Sequence, residues 1–274
     1  MMGIRLGLDI GGSTTKVVTY DDGKVGNYFL VKADDPVASA YGAVGKYLDQ
    51  TQLKVDAIDK IMVTGVGASY LSGDILGRET IRVSEFSCVG LGGLFLAKRK
   101  SAIVVSMGTG TSFVDAVDGE VTHVIGSSVG GGTLLGLAGS MVNVHDVDSF
   151  ISLLNAGRLE AVDLTVGDIT KQEIPGLPMD TTASNFGKVN DLATANDLAV
   201  GIVNLVFQSV GTAAVLSARY RGRKSIVFTG NLTRIPLGKQ IIASFAKLYE
   251  LEMFVPEHAE FATAVGAALM GKQV

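Results

Sequence analysis

LDIGGSTTK at residues 8–16 is the stretch that decides the fold, together with a second glycine loop, SMGTGTS, at residues 106–112. Each loop follows a run of apolar residues rich in β-branched side chains. Glycine lets the backbone turn sharply and approach a ligand closely, and neighbouring hydroxyl groups can donate hydrogen bonds to phosphate oxygens. Two such loops, one in each half of the chain, predict a nucleotide held between two similar domains.

The predicted strands repeat around the two loops in the same order. They lie at 4–10, 16–20 and 25–31 around the first loop, and at 102–107, 111–117 and 121–125 around the second. We interpret this repeat as an internal duplication of architecture in an α/β protein. The chain is expected to cross between the halves near residues 96–101 and near its C-terminus.

Hydrophobic periodicity and turn residues predict the remaining elements. Strands are expected at 58–64, 225–229 and 252–255. Helices are expected at 36–50, 87–99, 133–137, 147–156, 196–220, 237–249 and 260–270. Residues 157–196 are polar and rich in turns, and we expect them to form a partly ordered excursion over the site.

Composition and charge exclude several classes of protein. The 274 residues include 23 basic and 27 acidic side chains, a net charge of −4, without a basic run, so nucleic acid is not an expected partner. The one cysteine, Cys88, excludes an internal disulfide and a cysteine-rich metal site within one chain. We find no signal-peptide pattern and no run of the roughly 20 apolar residues that cross a bilayer. We therefore expect a cytoplasmic protein without a membrane segment.

Two ionisable side chains flank the first loop, and each has two interpretations. Asp9 ends the first strand, where a carboxylate can hold hydrated Mg²⁺ beside phosphates or merely stabilise a turn. Lys16 could contact a phosphate or lie in solvent. The turn between them consists of Gly11, Gly12, Ser13 and Thr14.

Three later glycine segments could also contact a nucleotide. Residues 108–111 (GTGT) could cradle a phosphate and neutralise charge during phosphoryl transfer, or form a hairpin turn alone. Gly130, Gly131 and Gly132 precede a helix, whose free N–H groups would favour an anion, or they permit tight packing. Gly230 and Asn231 follow a buried strand and could contact a nucleoside or turn the chain.

Glu85 is, by local chemistry, a capping or first-turn glutamate, since acidic side chains favour helix N-termini. A general base must reach a substrate hydroxyl, which spacing alone cannot establish. His123, His145 and His258 are scattered without metal-ligand spacing, and we expect them to be surface or hydrogen-bonded residues.

Six segments of the chain together match a family pattern. They are DIGGS at 9–13, SEF at 84–86, GTGTS at 108–112, GSSVGGGT at 126–133, ASNFG at 183–187 and AVGA at 264–267. Their order resembles the type II pantothenate kinases of the actin, hexokinase and heat-shock-chaperone superfamily. The resemblance implies two ribonuclease-H-like domains of a duplicated actin/hexokinase-type fold with an interdomain ATP cleft.

The resemblance also implies ATP- and Mg²⁺-dependent phosphorylation of pantothenate, the first step toward coenzyme A, by a homodimer. It makes Glu85 the catalytic base and Asp9 the carboxylate at the metal. It divides the chain into an N-terminal domain of residues 1–98, completed by the C-terminal helix, and a nucleotide-binding and dimerisation domain of residues 99–274. Helix 196–220, which is too apolar for a solvated surface, would form the dimer interface.

The implied site residues fall into two sets. The residues implied to bind the substrate are Glu85, His123 and Gly126. The residues implied to bind the nucleotide are Asp9, Gly11, Gly12, Ser13, Thr14, Lys16, Gly108, Thr109, Gly110, Thr111, Gly130, Gly131, Gly132, Phe186 and Gly230.

His123 is where the chain departs from this family. Members usually have an arginine there, which contacts pantothenate. Imidazole is shorter and only partly charged near neutral pH, and it cannot form a bidentate guanidinium–carboxylate pair. The departure bears on substrate affinity and identity.

Other functions remain open from the sequence. VTGVG at 63–67 and SEFSC at 84–88 resemble the ATPase activators of 2-hydroxyacyl-CoA dehydratases, which bind an iron–sulfur cluster through two cysteines per subunit, whereas this chain has only Cys88. A kinase of a sugar or amino sugar, and a non-catalytic assembly protein of the actin type, are further alternatives. Phosphorylation of a small hydroxyl compound separates the kinases from the others.

Overall fold

The computed structural model describes residues 3–12, 14–32 and 35–270. Its strands are β1 Ile4–Ile10, β2 Thr15–Asp21, β3 Lys24–Val31, β4 Ile58–Thr64, β5 Thr80–Arg82, β6 Ser101–Met107, β7 Thr111–Val117, β8 Glu120–Ser127, β9 Leu164–Thr165, β10 Thr182–Ser184, β11 Ser225–Thr229 and β12 Glu252–Phe254. Its α-helices are α1 Pro36–Thr51, α2 Glu85–Ala97, α3 Gly131–Val142, α4 Val147–Leu153, α5 Val166–Ile169, α6 Ala195–Arg221, α7 Pro236–Tyr249 and α8 Ala262–Met270.

Two five-stranded sheets share one topology, which confirms the predicted duplication. The first has the order β3-β2-β1-β4-β5, and the second has the order β8-β7-β6-β11-β12. In each sheet the central strand pairs antiparallel with the next strand of the chain and parallel with its other neighbour. The two glycine loops therefore follow corresponding central strands, β1 and β6, at the carboxyl ends where open α/β sheets bind ligands.

Two helices pass between the sheets and cross with their backbones in contact. Helix α2 leaves the first sheet and packs on the second, whereas α8 leaves the second and packs on the first. A side chain at Gly92 would meet the backbone of Ala262, and one at Gly266 would meet the backbone of Cys88. Glycine is therefore required at the crossing. The division at residues 98 and 99, with the C-terminal helix completing the first domain, stays a prediction.

Helix α6 is long and apolar because it is a core helix. Its first turn is capped by Thr194, whose hydroxyl accepts from Asp197 N–H at 3.2 Å. By length and composition α6 could cross a membrane, contrary to the expectation that no run is long enough, but 67% of its most apolar stretch is buried. The helix packs on α3, α7 and the second sheet. Burial within its own chain thus accounts for the apolar character that the sequence analysis attributed to a dimer interface.

The excursion at 157–196 is anchored by one buried carboxylate. Asp163 is fully buried and accepts hydrogen bonds from Asn185 Nδ2 at 3.0 Å, Phe186 N–H at 2.8 Å and Asn204 Nδ2 at 2.6 Å. Because Asn204 belongs to α6, the carboxylate ties the excursion to the core helix. Strands β9 and β10 add a short antiparallel pair, so the segment has more regular structure than expected.

Several predicted boundaries were wrong. Helix α2 begins at residue 85 rather than 87, because Ser84 caps it by accepting from Ser87 N–H, and this places Glu85 inside the helix. Helix α3 runs to residue 142 rather than 137. Strand β5 was not predicted, since its three residues are too few for a periodic pattern.

Candidate active site

The first glycine loop lies beside a buried ion pair. Asp9 and Lys16 are register partners on β1 and β2, and Asp9 Oδ2 lies 3.7 Å from Lys16 Nζ. The Lys16 side chain is only 8% exposed, which excludes the interpretation that it lies in solvent. Burial raises the pKa of the Asp9 carboxyl, and the Lys16 charge partly opposes that shift. The carboxylate is therefore held in protein surroundings where a nearby cation would stabilise its charge.

The turn itself is tight and open to solvent. Gly11 N–H donates to Thr14 O at 3.0 Å, and Gly12 is exposed. Ser13 lies outside the described residues. The turn can therefore present backbone groups to an anion, and its phosphate-binding role stays a prediction.

A loop that the sequence analysis did not assign to the site packs against Asp9. Gly65 follows β4 with a φ of 87°, and a side chain there would lie 2.7 Å from Asp9 Oδ1. A side chain at Gly67 would collide with Ile10. Only glycine allows this approach. The signal was the pattern of an apolar strand followed by a glycine-rich turn, which residues 58–67 share with both loops.

Glu85 is the first residue of α2 and lies close enough to Asp9 to be influenced by its charge. The residue is exposed at the surface, but partial desolvation of its carboxyl raises the pKa, and the negative charge of Asp9 raises it further. The side chain forms no hydrogen bond or ion pair with the described residues. A glutamate whose pKa is raised has a basicity closer to neutral pH, which suits a general base.

The glycine triplet at 130–132 packs against the second loop and donates hydrogen bonds to it. Gly131 N–H donates to Gly108 O and Gly132 N–H donates to Thr109 O, both at 2.8 Å. A side chain at Gly130 would lie 2.7 Å from Thr109 O. The backbone N–H groups of Gly131 and Gly132 are therefore already hydrogen-bonded to the second loop. The expectation that they are free to bind an anion is wrong. Of the two interpretations, tight packing is the one that the geometry fits.

In the rest of the second loop, the Thr111 hydroxyl is already hydrogen-bonded, whereas the backbone at Gly126 on the neighbouring strand is uncrowded. Thr111 is 4% exposed, and its hydroxyl donates to Val129 O at 2.8 Å. Its proton is thus unavailable to a phosphate. A side chain at Gly110 would lie 3.0 Å from Ser127 O, whereas at Gly126 the nearest atom would be 3.9 Å away. The backbone at Gly126 is therefore uncrowded.

Gly230 joins the end of β11 to the base of the second loop. Its φ is 91°, and a side chain there would lie 2.5 Å from Met107 O. Its N–H donates to Ala259 O at 3.0 Å. The next residue, Asn231, has a buried side-chain oxygen without a hydrogen-bond partner in the described part of the chain. This unpaired acceptor lies in the segment that the sequence analysis offered for a nucleoside contact, and it fits a ligand donor.

Phe186 and His123 are each held by contacts of their own. Phe186 adopts a φ of 57°, and its ring packs against Gly201 of α6. His123 lies on β8 and stacks on Phe86, the neighbour of Glu85 in α2. The structure thus brings His123 near the predicted base, while the ring of Phe186 serves the packing of the second half.

The donor side chains of the described residues fit a hydrated Mg²⁺ but not a metal cluster. Over residues 3–12, 14–32 and 35–270, no group of three or more His, Cys, Asp or Glu side chains could hold a metal ion. Mg²⁺ needs fewer protein ligands, since it keeps several waters and takes one or two carboxylates plus phosphate oxygens, and Asp9 fits that requirement. Cys88 is buried, and burial raises the pKa of its thiol to about 12. A neutral, buried thiol does not fit a cluster ligand, which must be a thiolate.

A cavity of about 600 Å³ lies away from this site. Its lining includes Asp56, Asp59, Arg78 and Glu79, at the amino ends of β4 and β5. The predicted site residues of the first half lie at the opposite, carboxyl end of the same sheet. The cavity is therefore separate from the predicted cleft.

The sequence profile of the Fumble family matches residues 101–270, which is more than half of the chain. Among curated proteins, a type II pantothenate kinase of Staphylococcus haemolyticus is 26% identical over 96% of this chain and 98% of its own length. Pantothenate kinase 1 of Oryza sativa subsp. japonica is 38% identical over 47% of this chain, and the match spans only 20% of that longer protein.

Solved structures show the same fold. The activator of the 2-hydroxyisocaproyl-CoA dehydratase from Clostridium difficile, with bound ADPNP, superposes with a TM-score of 0.70. The superposition covers 97% of this chain and 93% of that one at 20% identity. This likeness shows the duplicated fold of the actin and hexokinase type, and at this identity it shows the fold alone.

Proposed function

Because the chain belongs to the Fumble family, we propose that it is a type II pantothenate kinase, which transfers the γ-phosphoryl group of ATP to the primary hydroxyl of pantothenate. Near full-length similarity to staphylococcal type II pantothenate kinases supports this assignment. The observation in the structure that carries it is the placement of Glu85, with its raised pKa, near Asp9 at the first glycine loop. The reaction is the first step of coenzyme A biosynthesis.

Glu85 acts as the general base. Its carboxylate accepts the proton of the attacking hydroxyl as that oxygen bonds to phosphorus, and ADP leaves with the charge of the broken bond. The absence of any hydrogen-bond or ion-pair partner among the described residues leaves both carboxylate oxygens available for this transfer. Phosphoryl transfer otherwise depends on positioning and on neutralising charge.

The glycine loops hold the nucleotide between the two sheets. The residues that we propose around it are Asp9, Gly11, Gly12, Ser13, Thr14, Lys16, Gly108, Thr109, Gly110 and Gly230. Asn231 joins this set, because its unpaired Oδ1 can accept a hydrogen bond from the nucleoside. Thr111, Gly130, Gly131, Gly132 and Phe186 would support them through their own packing and hydrogen bonds. Asp9 would hold a hydrated Mg²⁺, which supplies positive charge beside the phosphates when bound.

The alternatives are less well supported. An activator that carries an iron–sulfur cluster conflicts with the single, buried Cys88. A sugar kinase and an assembly protein of the actin type share the fold, but the family match and the full-length relatives favour pantothenate.

We further propose that the enzyme is a cytoplasmic homodimer. Light scattering should give twice the 28.5 kDa of one chain, and a monomer at micromolar concentration would refute the dimer.

A substrate panel tests the proposed activity. ADP release, measured with pantothenate, pantetheine, glucose and N-acetylglucosamine as acceptors, should be fastest with pantothenate or pantetheine. Faster release with either sugar would favour a sugar kinase. Equal release with and without any acceptor would indicate an ATPase.

His123→Arg should lower the KM for pantothenate by about fivefold or more. A charge-assisted, bidentate contact to the substrate carboxylate is worth roughly 1 kcal/mol more than a neutral one. Steady-state kinetics with pantothenate and pantetheine make the comparison, since pantetheine lacks the carboxylate and should show no gain. An unchanged KM for pantothenate would mean that position 123 does not face the carboxylate.

A further inference from the structure

A stacked pair of rings joins the first turn of α2 to the second sheet. The ring centroids of Phe86 and His123 lie 4.4 Å apart, with the ring planes inclined by 29°. Phe86 directly follows Glu85, and His123 lies on β8, the edge strand of the second sheet. Phe86 is 43% exposed, and His123 is also exposed, so the pair lies at the surface rather than in the core.

The middle of α2 is closely packed, whereas the first two residues of the helix are exposed. Gly90 faces Val121 and Gly93 faces Val104 so closely that neither position has room for a side chain without a shift. At the beginning of the helix, residues 84–86 are all exposed. The cap there is a long hydrogen bond of 3.4 Å from Ser87 N–H to Ser84 Oγ. Backbone hydrogen bonds from Val83 N–H to Val63 O and from Cys88 N–H to Ser84 O also fix the chain here, and the stack adds a side-chain contact between this turn and the second sheet.

Glu85 depends on that turn for its position. Among the described residues, none forms a hydrogen bond or ion pair that would fix its carboxylate. We propose that the Phe86–His123 stack positions Glu85 by docking the first turn of α2 on β8, and that His123 and Phe86 are positioning residues for the reaction. This role rests on the proposed function, in which Glu85 accepts the hydroxyl proton.

The stack also links the turn that carries the base to the second half of the molecule. Asp9 belongs to the first sheet, whereas α2 packs on the second sheet, whose central strand leads into the loop at 108–110. With the first turn of α2 docked on β8, Glu85 is attached to the same sheet as the second glycine loop. A small displacement of a reacting group can reduce the rate by up to about 100-fold.

Paired substitutions separate positioning from substrate contact. His123→Ala removes the stack, whereas His123→Phe keeps an aromatic face and removes the imidazole nitrogens. We expect His123→Ala to lower kcat for pantothenate about 10-fold or more, with the KM for ATP unchanged, and His123→Phe to lower kcat clearly less. Loss of a contact to the substrate carboxylate would raise the KM for pantothenate in both variants and would not by itself produce this difference in kcat.

Two further variants keep the test independent of folding. Phe86→Leu should lower kcat as His123→Ala does, and combining the two should add little, because both remove one contact. Tyr28→Leu is the matched control, since it removes the Tyr28–His258 stack, whose centroids lie 3.9 Å apart elsewhere in the fold, and it should leave kcat unchanged. Thermal melting checks that each variant is folded.

Three outcomes would overturn the inference. A kcat within twofold of wild type in both folded His123→Ala and Phe86→Leu would show that the stack does not position the base. An equal loss in His123→Phe and His123→Ala would assign the effect to the imidazole itself. No wild-type turnover of pantothenate would refute the proposed function, and the positioning role with it, whereas the first two outcomes leave that function standing.

Discussion

Glu85→Gln is expected to lower kcat for pantothenate by about 10²–10⁴-fold while nucleotide binding stays nearly unchanged. Glutamine keeps the size of the side chain but cannot accept the hydroxyl proton, and removal of a general base typically costs that much. The carboxylate forms no hydrogen bond or ion pair with the described residues, so the substitution should not unfold the protein. Single-turnover kinetics and ATP titration by fluorescence measure the two quantities separately.

The control and the pH profile sharpen this prediction. Glu79→Gln changes a glutamate that forms an ion pair with Lys60 outside the candidate site, and it should keep the wild-type kcat. In the wild type, the raised pKa of Glu85 should make kcat/KM fall with decreasing pH at values above the ordinary 4.5 of a glutamate, since the base must be deprotonated. A Glu85→Gln enzyme that keeps more than half of the wild-type kcat would remove Glu85 from the mechanism.

Gly230→Ala is expected to destabilise the protein strongly and to weaken ATP binding. The φ of 91° costs a non-glycine residue about 1–2 kcal/mol. The added methyl group would also lie 2.5 Å from Met107 O, and overpacking costs typically about 1–3 kcal/mol more. Since Met107 leads directly into the second glycine loop, relief of the collision should displace that loop and raise the KM for ATP.

Gly119→Ala is the matched control for this change. Gly119 has a similar φ of 96°, but no atom lies within 4 Å of the place where its side chain would be. Its substitution should lower the free energy of unfolding only through the unfavourable φ, and it should leave the KM for ATP unchanged. Urea denaturation compares the free energies of unfolding. Equal losses in the two variants would mean that Gly230 is required for its backbone conformation alone and not for close approach to the loop.

The repeated strand pattern around the glycine loops was sufficient to predict the duplicated sheets. Apolar alternation and turn glycines act over a few residues, so the central strands β1 and β6 and their hairpins could be located from local sequence. Strand β5 could not be located in this way, because three residues are too few to show an alternation of apolar and polar side chains. The apolar character of α6 was correctly recognised, but only the packed structure shows that its own chain covers it.

The candidate site was predictable where the chemistry is local. The pair of Asp9 and Lys16 follows from the hairpin, since the two residues face each other across β1 and β2. The contact of Gly65 with Asp9 and the stack of Phe86 on His123 join residues distant in sequence, so no spacing rule could show them. The engaged amides of Gly131 and Gly132 were also invisible, because their acceptors lie in the loop at 108–110.

The most direct test of the central claim is to identify the product. Purified protein is incubated with ATP, Mg²⁺ and pantothenate, and the products are identified by mass spectrometry and phosphorus NMR. The account predicts one equivalent of ADP for each equivalent of pantothenate phosphorylated on its primary hydroxyl, and no such product from Glu85→Gln over the same time. ADP formed without phosphorylated pantothenate, or pantothenate returned unchanged by active and folded protein, would contradict it.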